Sequence, residues 1–223
     1  ADVINNQPFV DKSKTKVVNK GHRLEWYKDV LPLDVKKEFN LPEDAFVVIN
    51  VANNRRMKGI PYLMKAMNML SPGLPIHLLL IGGNMDTKAN LALIKSGGYK
   101  DNVHFVGFRD DVLNIVAASD VFASASIKGE SITKSIIEAM SLEVAPIITD
   151  IPGNVELCDH EDSGLVVKMK NPKELSDAIL RLYNDRGLCK KLAKNAKARI
   201  GSFLNTDRSI KEMKEFYDEL MAE

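Results

Sequence analysis

The sequence predicts an α/β fold, in which a doubly wound parallel sheet of about six strands carries helices on both faces. Short apolar runs recur along the chain, several are apolar at consecutive positions, and segments with helical spacing lie between them. Strands buried on both faces are apolar throughout, which is typical of parallel sheets. The predicted strands are Phe46–Val51, Ile76–Ile81, Val103–Val106, Asp120–Ala123, Val144–Thr149 and Leu165–Val167.

The C-terminal third loses the strand pattern and is predicted to be helical. Asn171, Pro172 and Glu174 form a helix start, because Asn can cap the first turn, Pro suits its first position and Glu can bond back to the cap. The last helix carries an apolar stripe, which is typical of packing in the core of the chain. The stripe consists of Ile210, Met213, Tyr217 and Leu220.

The composition is that of an ordinary globular protein and argues against several classes of function. The 223 residues are 45% hydrophobic and 27% charged, and the formal net charge of +1 provides no field that would attract nucleic acid. Two cysteines, Cys158 and Cys189, are too few for a disulfide framework or a cysteine zinc site. They favour a reducing, cytoplasmic location. No apolar run reaches the ~20 residues of a membrane span.

A cationic loop follows the first predicted strand. Asn53 is followed by Arg55, Arg56 and Lys58, and a helix is predicted to begin directly afterwards. Cations at a helix N-terminus oppose the helix dipole, and ligands of open α/β sheets bind at the carboxyl ends of strands. An external anion such as a diphosphate would satisfy the charge and the geometry. A solvated basic loop, or one paired with a distant carboxylate, is the alternative.

Two glutamates, Glu130 and Glu138, lie eight positions apart. On one helix, eight residues span about 12 Å and about 80° of rotation, a separation similar to that of a nucleoside-diphosphate bridge. The helix N-terminus would lie between them and would offer amides to phosphate. The alternative is that Glu138 pairs with Lys134 one turn earlier, and that Glu130 is a polar loop residue.

In this order, the segments resemble the C-terminal domain of glycosyltransferase family 4, the retaining group with the GT-B fold, from about Lys16 to the end of the chain. The most specific stretch is Glu130 to Pro146, which resembles the two-glutamate motif and the Glu-Ala-Met signature of that family. Five weaker matches support it in the same order. They are Lys58-Gly59, Leu80 to Gly83, Val103 to Gly107, Ala118 to Val121 and Pro152 to Glu156.

The resemblance implies a role for each candidate residue and a reaction that needs neither a metal nor a cofactor beside the nucleotide-sugar substrate. Glu138 would bind the donor ribose, Glu130 the hydroxyls of the transferred sugar, and Lys58 the diphosphate as it leaves. Further donor contacts would come from backbone or polar groups. These are Asn53, Arg55, Arg56, Gly83, Gly107, Phe108, Ser131, Ile132 and Thr133, with Gly107 and Phe108 bordering the base.

The sequence departs from the family at two places. Ala52-Asn53 occupies the positions of the usual Gly-Arg, so either Arg55 or Arg56 replaces that arginine or phosphate binding is weakened. Ser131 stands where a glycine usually follows the first glutamate, and its side chain would narrow the pocket.

The family has a second, N-terminal domain that supplies the acceptor site, and no segment of this sequence matches it. We therefore expect residues 1–23 to be a remnant of that domain or a linker, 24–200 to bind the donor, and 201–223 to be a helix that packs against the missing half. Such a chain would bind a nucleotide sugar but transfer no hexose alone. Contact with the inner face of a membrane would suit a lipid-linked acceptor.

Two other functions stay open on the same fold. The chain would be either a non-catalytic nucleotide-binding or regulatory module, or part of a GT-B nucleotide-sugar epimerase or hydrolase. A metal site at Cys158 to Asp162 is disfavoured, because a second cluster of ligands is absent from the sequence.

Overall fold

A computed structural model describes residues 14–95, 97–128 and 132–222 of the chain. Its centre is a six-stranded sheet in the order β3-β2-β1-β4-β5-β6, in which every neighbouring pair is parallel. The strands are β1 Phe46–Val51, β2 Ile76–Ile81, β3 Val103–Gly107, β4 Val121–Ser124, β5 Ala145–Thr149 and β6 Leu165–Val167. The predicted fold class is confirmed.

Nine α-helices occur within these described ranges, and most of them cover the two faces of the sheet. They are α1 Val35–Glu38, α2 Ile60–Met67, α3 Lys88–Lys95, α4 Val112–Ala117, α5 Lys134–Ser141, α6 Asn154–Leu157, α7 Pro172–Asn184, α8 Arg186–Phe203 and α9 Thr206–Ala222. The predicted start of α7 is confirmed, because the Asn171 side chain accepts a hydrogen bond from the Glu174 amide.

The core has two apolar layers, one on each face of the sheet. Alternate residues of β1 belong to opposite layers: Phe46 and Val48 pack with α2 and α7, whereas Val47 and Ile49 pack with α4, α5 and α8. This burial on both faces explains why the strands read as continuous apolar runs.

The apolar stripe of α9 is not part of this core. Ile210 is 59% exposed and Tyr217 is 60% exposed, with Met213 and Leu220 also exposed. The interpretation of the stripe as packing within this chain is therefore wrong for the structure described here. The expected domain boundary at residue 201 falls inside α8, and α9 begins five residues later at Thr206.

Candidate functional site

The cationic loop after β1 is fixed by a tight turn against β4. Residues Arg56–Lys58 form a short 3-10 turn, and Gly59 follows with a φ of 65° before α2 begins. A Cβ atom at Gly59 would lie 1.9 Å from the Ala125 carbonyl oxygen, so only glycine permits this approach. The amide of Ile127 donates to the Met57 carbonyl at 2.8 Å. The loop is thus held directly beside the segment that follows β4.

A cavity of about 600 Å³, here called the donor cavity, opens between this loop and the start of α5. Both sequence constellations contribute to it as far as the structure describes them. The lining includes Asn53, Arg55 and Lys58 from the loop, and Ile132, Thr133, Lys134, Ser135 and Glu138 from α5 and the residues before it. Glu130 and Ser131, which were predicted to belong to the same site, lie outside the described residues.

Helix α5 begins at Lys134 with Thr133 as its N-cap. The expectation that Glu130 and Glu138 share one helix is therefore wrong, and the 12 Å spacing calculated for it does not apply. Thr133 instead donates its hydroxyl to the Asn154 side-chain oxygen at 3.2 Å. The helix start still lies between the two glutamates in sequence and opens on the donor cavity, where first-turn amides lack helical partners.

Glu138 is largely enclosed, with 16% of its side chain exposed, and lies 3.1 Å from the Lys134 ammonium one turn earlier. The alternative pairing considered from the sequence is thus present. It does not remove Glu138 from the cavity, because both residues line it. Lys134 is 84% exposed, so the pair is open to solvent and its contribution to stability is small.

A smaller cavity of about 240 Å³ continues from the donor cavity towards β2 and β3 and shares Ala52 and Asn53 with it. Gly83 and Phe108 line this extension, and the Phe108 ring is 81% exposed. Gly107 adopts a φ of 79° and accepts the Gly82 amide at 2.8 Å, so it turns the chain at the end of β3. The predicted base-bordering segment is therefore adjacent to the donor cavity.

The match to known proteins decides the family. Residues 34–199, which make up most of the chain, match the family described as glycosyl transferases, group 1. The chain belongs to this family.

Individual relatives agree with this assignment. The chain is 24% identical to N-acetyl-alpha-D-glucosaminyl L-malate synthase of Bacillus anthracis, over 85% of this chain and 49% of that protein. It is 32% identical to N,N'-diacetylbacillosaminyl-diphospho-undecaprenol alpha-1,3-N-acetylgalactosaminyltransferase of Campylobacter jejuni. That match covers 67% of this chain and 39% of that protein.

Among solved structures, Alr3699/HepE from Anabaena in complex with UDP-glucose superimposes with a TM-score of 0.79 at 23% identity, over 92% of this chain and 57% of that one. The chain spans about half the length of the curated relatives it matches.

One predicted donor residue of this group 1 glycosyl transferase chain faces elsewhere. Arg56 does not line the donor cavity but a neighbouring cavity of about 540 Å³. Arg55 lines both cavities. Of the two arginines proposed to replace the usual arginine, Arg55 is therefore the better placed.

Behind Glu138, the segment before α1 forms a site wall that the sequence did not indicate. His22, Trp26 and Tyr27 line a cavity of about 660 Å³ that shares Glu138 and Lys134 with the donor cavity. The His22 ring centroid lies 5.3 Å from that of Tyr27 and 5.4 Å from that of Trp26. These residues precede Glu138 by more than 100 positions, and no local pattern links them to it.

The pKa values of Tyr27 and His22 reflect the enclosure of these side chains behind Glu138. Burial, with the nearby negative charge of Glu138, raises the pKa of Tyr27 to about 12. Burial, with the positive charge of Lys134, lowers the pKa of His22. Both groups are therefore neutral near pH 7, and they give one side of the cavity behind Glu138 an aromatic, uncharged wall.

Arg109 is a further polar residue at the base-bordering end. Its guanidinium bonds Asp111 at 2.7 Å and Glu38 at 2.8 Å, and these hydrogen bonds raise the pKa of Arg109. Arg109 lines the small cavity beside Phe108. The two carboxylates neutralise it, so it orders this rim rather than adding net positive charge.

The segment Cys158 to Asp162 does not form a metal centre in the part of the chain described, where no group of three or more His, Cys, Asp or Glu side chains is arranged to hold a metal ion. Asp159 pairs with Arg199, and Glu161 pairs with Arg181. Within the described ranges, no helix is both long enough and apolar enough to cross a bilayer.

Proposed function

We propose that this chain is the donor-binding half of a retaining glycosyltransferase of family 4. The whole protein would transfer a hexose from a nucleoside-diphosphate sugar to a glycan or lipid-linked acceptor without a metal. The observation that carries the proposal is the donor cavity, in which Lys58 and Glu138 line one space although they are 80 residues apart in the sequence.

The charges of the donor cavity suit a diphosphate. Arg55, Lys58 and Lys134 line it, and Glu138 is the only acidic side chain among its described lining residues. The start of α5 adds amide groups and the positive end of a helix dipole. A nucleoside diphosphate bound in this cavity would be attracted by these cations.

Each group then has a defined task. Glu138, in its largely enclosed position, accepts hydrogen bonds from the ribose hydroxyls, and the base extends towards Gly83 and Phe108. Lys58 stabilises the negative charge that develops on the diphosphate as the bond to the sugar breaks. Glu130 binds the transferred sugar, and the acceptor hydroxyl attacks from the leaving-group side, so the configuration is retained.

In this proposal a second domain is needed to complete the acceptor site. The exposed stripe on α9 would pack against that domain, because it presents Ile210, Met213 and Tyr217 to solvent in this chain. The relative from Campylobacter jejuni is named for a diphospho-undecaprenol acceptor. A similar lipid-linked acceptor would place the whole protein at the cytoplasmic face of a membrane.

Calorimetric titration of the chain with UDP, GDP and ADP, and with their sugars, tests the proposal. Replacing Lys58 by Ala is expected to weaken diphosphate binding by about 10- to 100-fold, since a charge-assisted hydrogen bond is lost, and to leave nucleoside binding nearly unchanged. Lys100→Ala, at the opposite end of the sheet, is the matched control. Equal losses for nucleoside and diphosphate would remove the role proposed for Lys58.

The non-catalytic nucleotide-binding or regulatory module remains the second candidate. Tight binding of the nucleoside, with no gain in affinity from the diphosphate, would favour it. If Glu138→Ala leaves nucleotide affinity unchanged, the ribose role proposed for Glu138 is wrong. We expect no sugar transfer by the 223-residue chain alone. Measurable transfer would contradict the proposal that a second domain is needed for the reaction.

A further inference from the structure

A second cation-lined cavity lies beside the donor cavity and has no part in the roles proposed so far. It has a volume of about 540 Å³, and we call it the basic cavity. Met57 and Ile127 provide its apolar surface, and no acidic side chain of the described residues lines it. Its remaining lining residues are all cations: Arg55, Arg56, Lys128 and Lys170.

The backbone around the basic cavity is held in place from three strands. The Ile127 amide donates to the Met57 carbonyl at 2.8 Å, which joins the loops after β1 and β4. Beyond β6, the Met169 amide donates to Asp150 at 2.7 Å, and Lys170 follows with a φ of 59°. The cations are thus brought together by fixed loops from distant parts of the sequence.

Like charges gathered around one cavity repel one another, and an anion bound between them relieves that repulsion. Arginine and lysine are also the side chains that bind phosphate, through charge-assisted hydrogen bonds. The chemistry of the basic cavity therefore selects an anion, and most readily a phosphate group.

The position of the basic cavity indicates which molecule carries that anion. Along the carboxyl edge of the sheet, the base-bordering cavity lies at β2 and β3, the donor cavity at β1 and α5, and the basic cavity at β1, β4 and β6. A donor with its base at Phe108 and its diphosphate at Lys58 leaves the basic cavity beyond the diphosphate. In the donor orientation proposed above, the transferred sugar and its acceptor would lie in that direction.

We propose that the basic cavity binds a phosphate group of the acceptor substrate and so positions the acceptor next to the donor diphosphate. This inference rests on the proposed function for the identity of the acceptor, but the anion site itself does not. Arg55, which lines both cavities, would contact the donor and the acceptor anion at once.

The test is a titration of the isotope-labelled chain with inorganic phosphate, followed by amide NMR, in the presence of saturating UDP, GDP or ADP, whichever binds. We expect phosphate to shift the amides of Ile127 and Lys170 without displacing the nucleotide. Lys170→Gln should weaken this phosphate binding about fivefold or more, as expected for a lost charge-assisted contact, and leave nucleotide affinity unchanged. Lys58→Gln should weaken nucleotide binding and leave phosphate binding in the basic cavity unchanged.

Three results would overturn the proposal. Phosphate that shifts only the amides around Lys58 and Thr133, and competes with the nucleotide, would show a single anion site. Lys170-dependent binding to phosphatidylglycerol vesicles without binding of inorganic phosphate would assign the cations to a membrane surface. A Lys170-dependent preference for UDP-glucuronate over UDP-glucose would assign the anion to the donor sugar.

The two proposals fail separately. If no nucleotide binds but phosphate still binds in a Lys170-dependent way, the anion site stands and the proposed donor-binding role, with the acceptor, is overturned. If a nucleotide binds in a Lys58-dependent way and phosphate does not bind beside it, only the basic cavity loses its role.

Discussion

The polar side chains at the amino and carboxyl ends of the sheet differ in the partners they have. At the amino end, Asp120, His77 and His104 each have a protein partner. Asp120 accepts the Val47 amide at 2.7 Å and pairs with Arg186 at 3.3 Å, while His77 and His104 approach within 3.1 Å of each other. The Arg186 guanidinium also lies 4.0 Å from the centre of the Phe46 ring. This end is closed by its own interactions.

At the carboxyl end, positive charges converge on open cavities. Six cations line the donor and basic cavities, and Glu138 is the only acidic side chain among the described lining residues. They are Arg55, Arg56, Lys58, Lys128, Lys134 and Lys170. We therefore expect the polar side chains of the amino end to contribute mainly to stability and those of the carboxyl end mainly to ligand binding, as in other open α/β sheets. Substitutions at the two ends should separate stability from binding.

The largest expected effect tests whether the carboxyl end is rigid as well as charged. Gly59→Ala would place a Cβ atom 1.9 Å from the Ala125 carbonyl oxygen at a φ of 65°. We expect the free energy of unfolding in urea to fall by about 3 kcal/mol or more, since the clash and the backbone strain add.

Gly73→Ala separates these two causes. Gly73 has a φ of 90°, and a Cβ atom there would meet nothing within 4 Å. Gly73→Ala should lower the free energy of unfolding by only about 1–2 kcal/mol, which is the strain of a left-handed conformation. Equal losses of unfolding free energy in the two variants would show that the close contact between the loops after β1 and β4 contributes nothing to stability.

The next effect belongs to the amino end. Asp120→Ala removes the acceptor of the Val47 amide and the partner of Arg186, so we expect a loss of about 1–3 kcal/mol in unfolding free energy. Asp120→Asn keeps an oxygen for the amide and should cost less. Nucleotide affinity should not change in either variant. A loss of affinity without a loss of stability would contradict the division between the two ends.

The same residue shows what the sequence could and could not predict. The strand from Asp120 to Ala123 was predicted because its apolar run is local, but the strand begins at Val121. Asp120 instead turns its carboxylate to an amide 73 residues away. A long-range partner of this kind leaves no local pattern, and the same holds for His22 and Tyr27 behind Glu138.

The candidate site was predicted to the extent that topology determines it. Lys58 and Glu138 converge because the loops after parallel strands meet at one edge of the sheet. Arg56 lines the neighbouring cavity and not the donor cavity, and the 3-10 turn Arg56–Lys58 to which it belongs is not visible in the composition. The start of α5 was recognisable in principle, because Thr133 is a residue type that caps helices.

A smaller effect should appear at the amino end in acid. Burial lowers the pKa of His77 and of His104, and each stays neutral in the fold below the pH at which the unfolded side chain is protonated. The unfolded state then binds more protons, so stability is full above about pH 6.5 and falls as the pH decreases, by up to about 1.4 kcal/mol per pH unit for each proton.

Urea unfolding at pH 7.5 and 5.5 measures this effect. The double variant His77→Gln/His104→Gln should lose less stability between the two pH values than the original chain does. His22 is unchanged in both, and its lowered pKa contributes to the slope that remains. An unchanged slope in the double variant would mean that the His77–His104 pair does not limit stability in acid.

The smallest effect decides what the Lys134–Glu138 contact does at the carboxyl end. A double-mutant cycle with Lys134→Gln and Glu138→Gln should give a coupling of about 0.3–0.5 kcal/mol in unfolding free energy, as for other solvent-open pairs one helical turn apart. So weak a coupling leaves Glu138 able to exchange its lysine for a ribose hydroxyl at little cost. A coupling above about 1.5 kcal/mol, beyond the usual range for such pairs, would make the pair part of the fold. Glu138 would then resemble Asp120 at the opposite end, and the division between a stabilising and a ligand-binding end would not extend to α5.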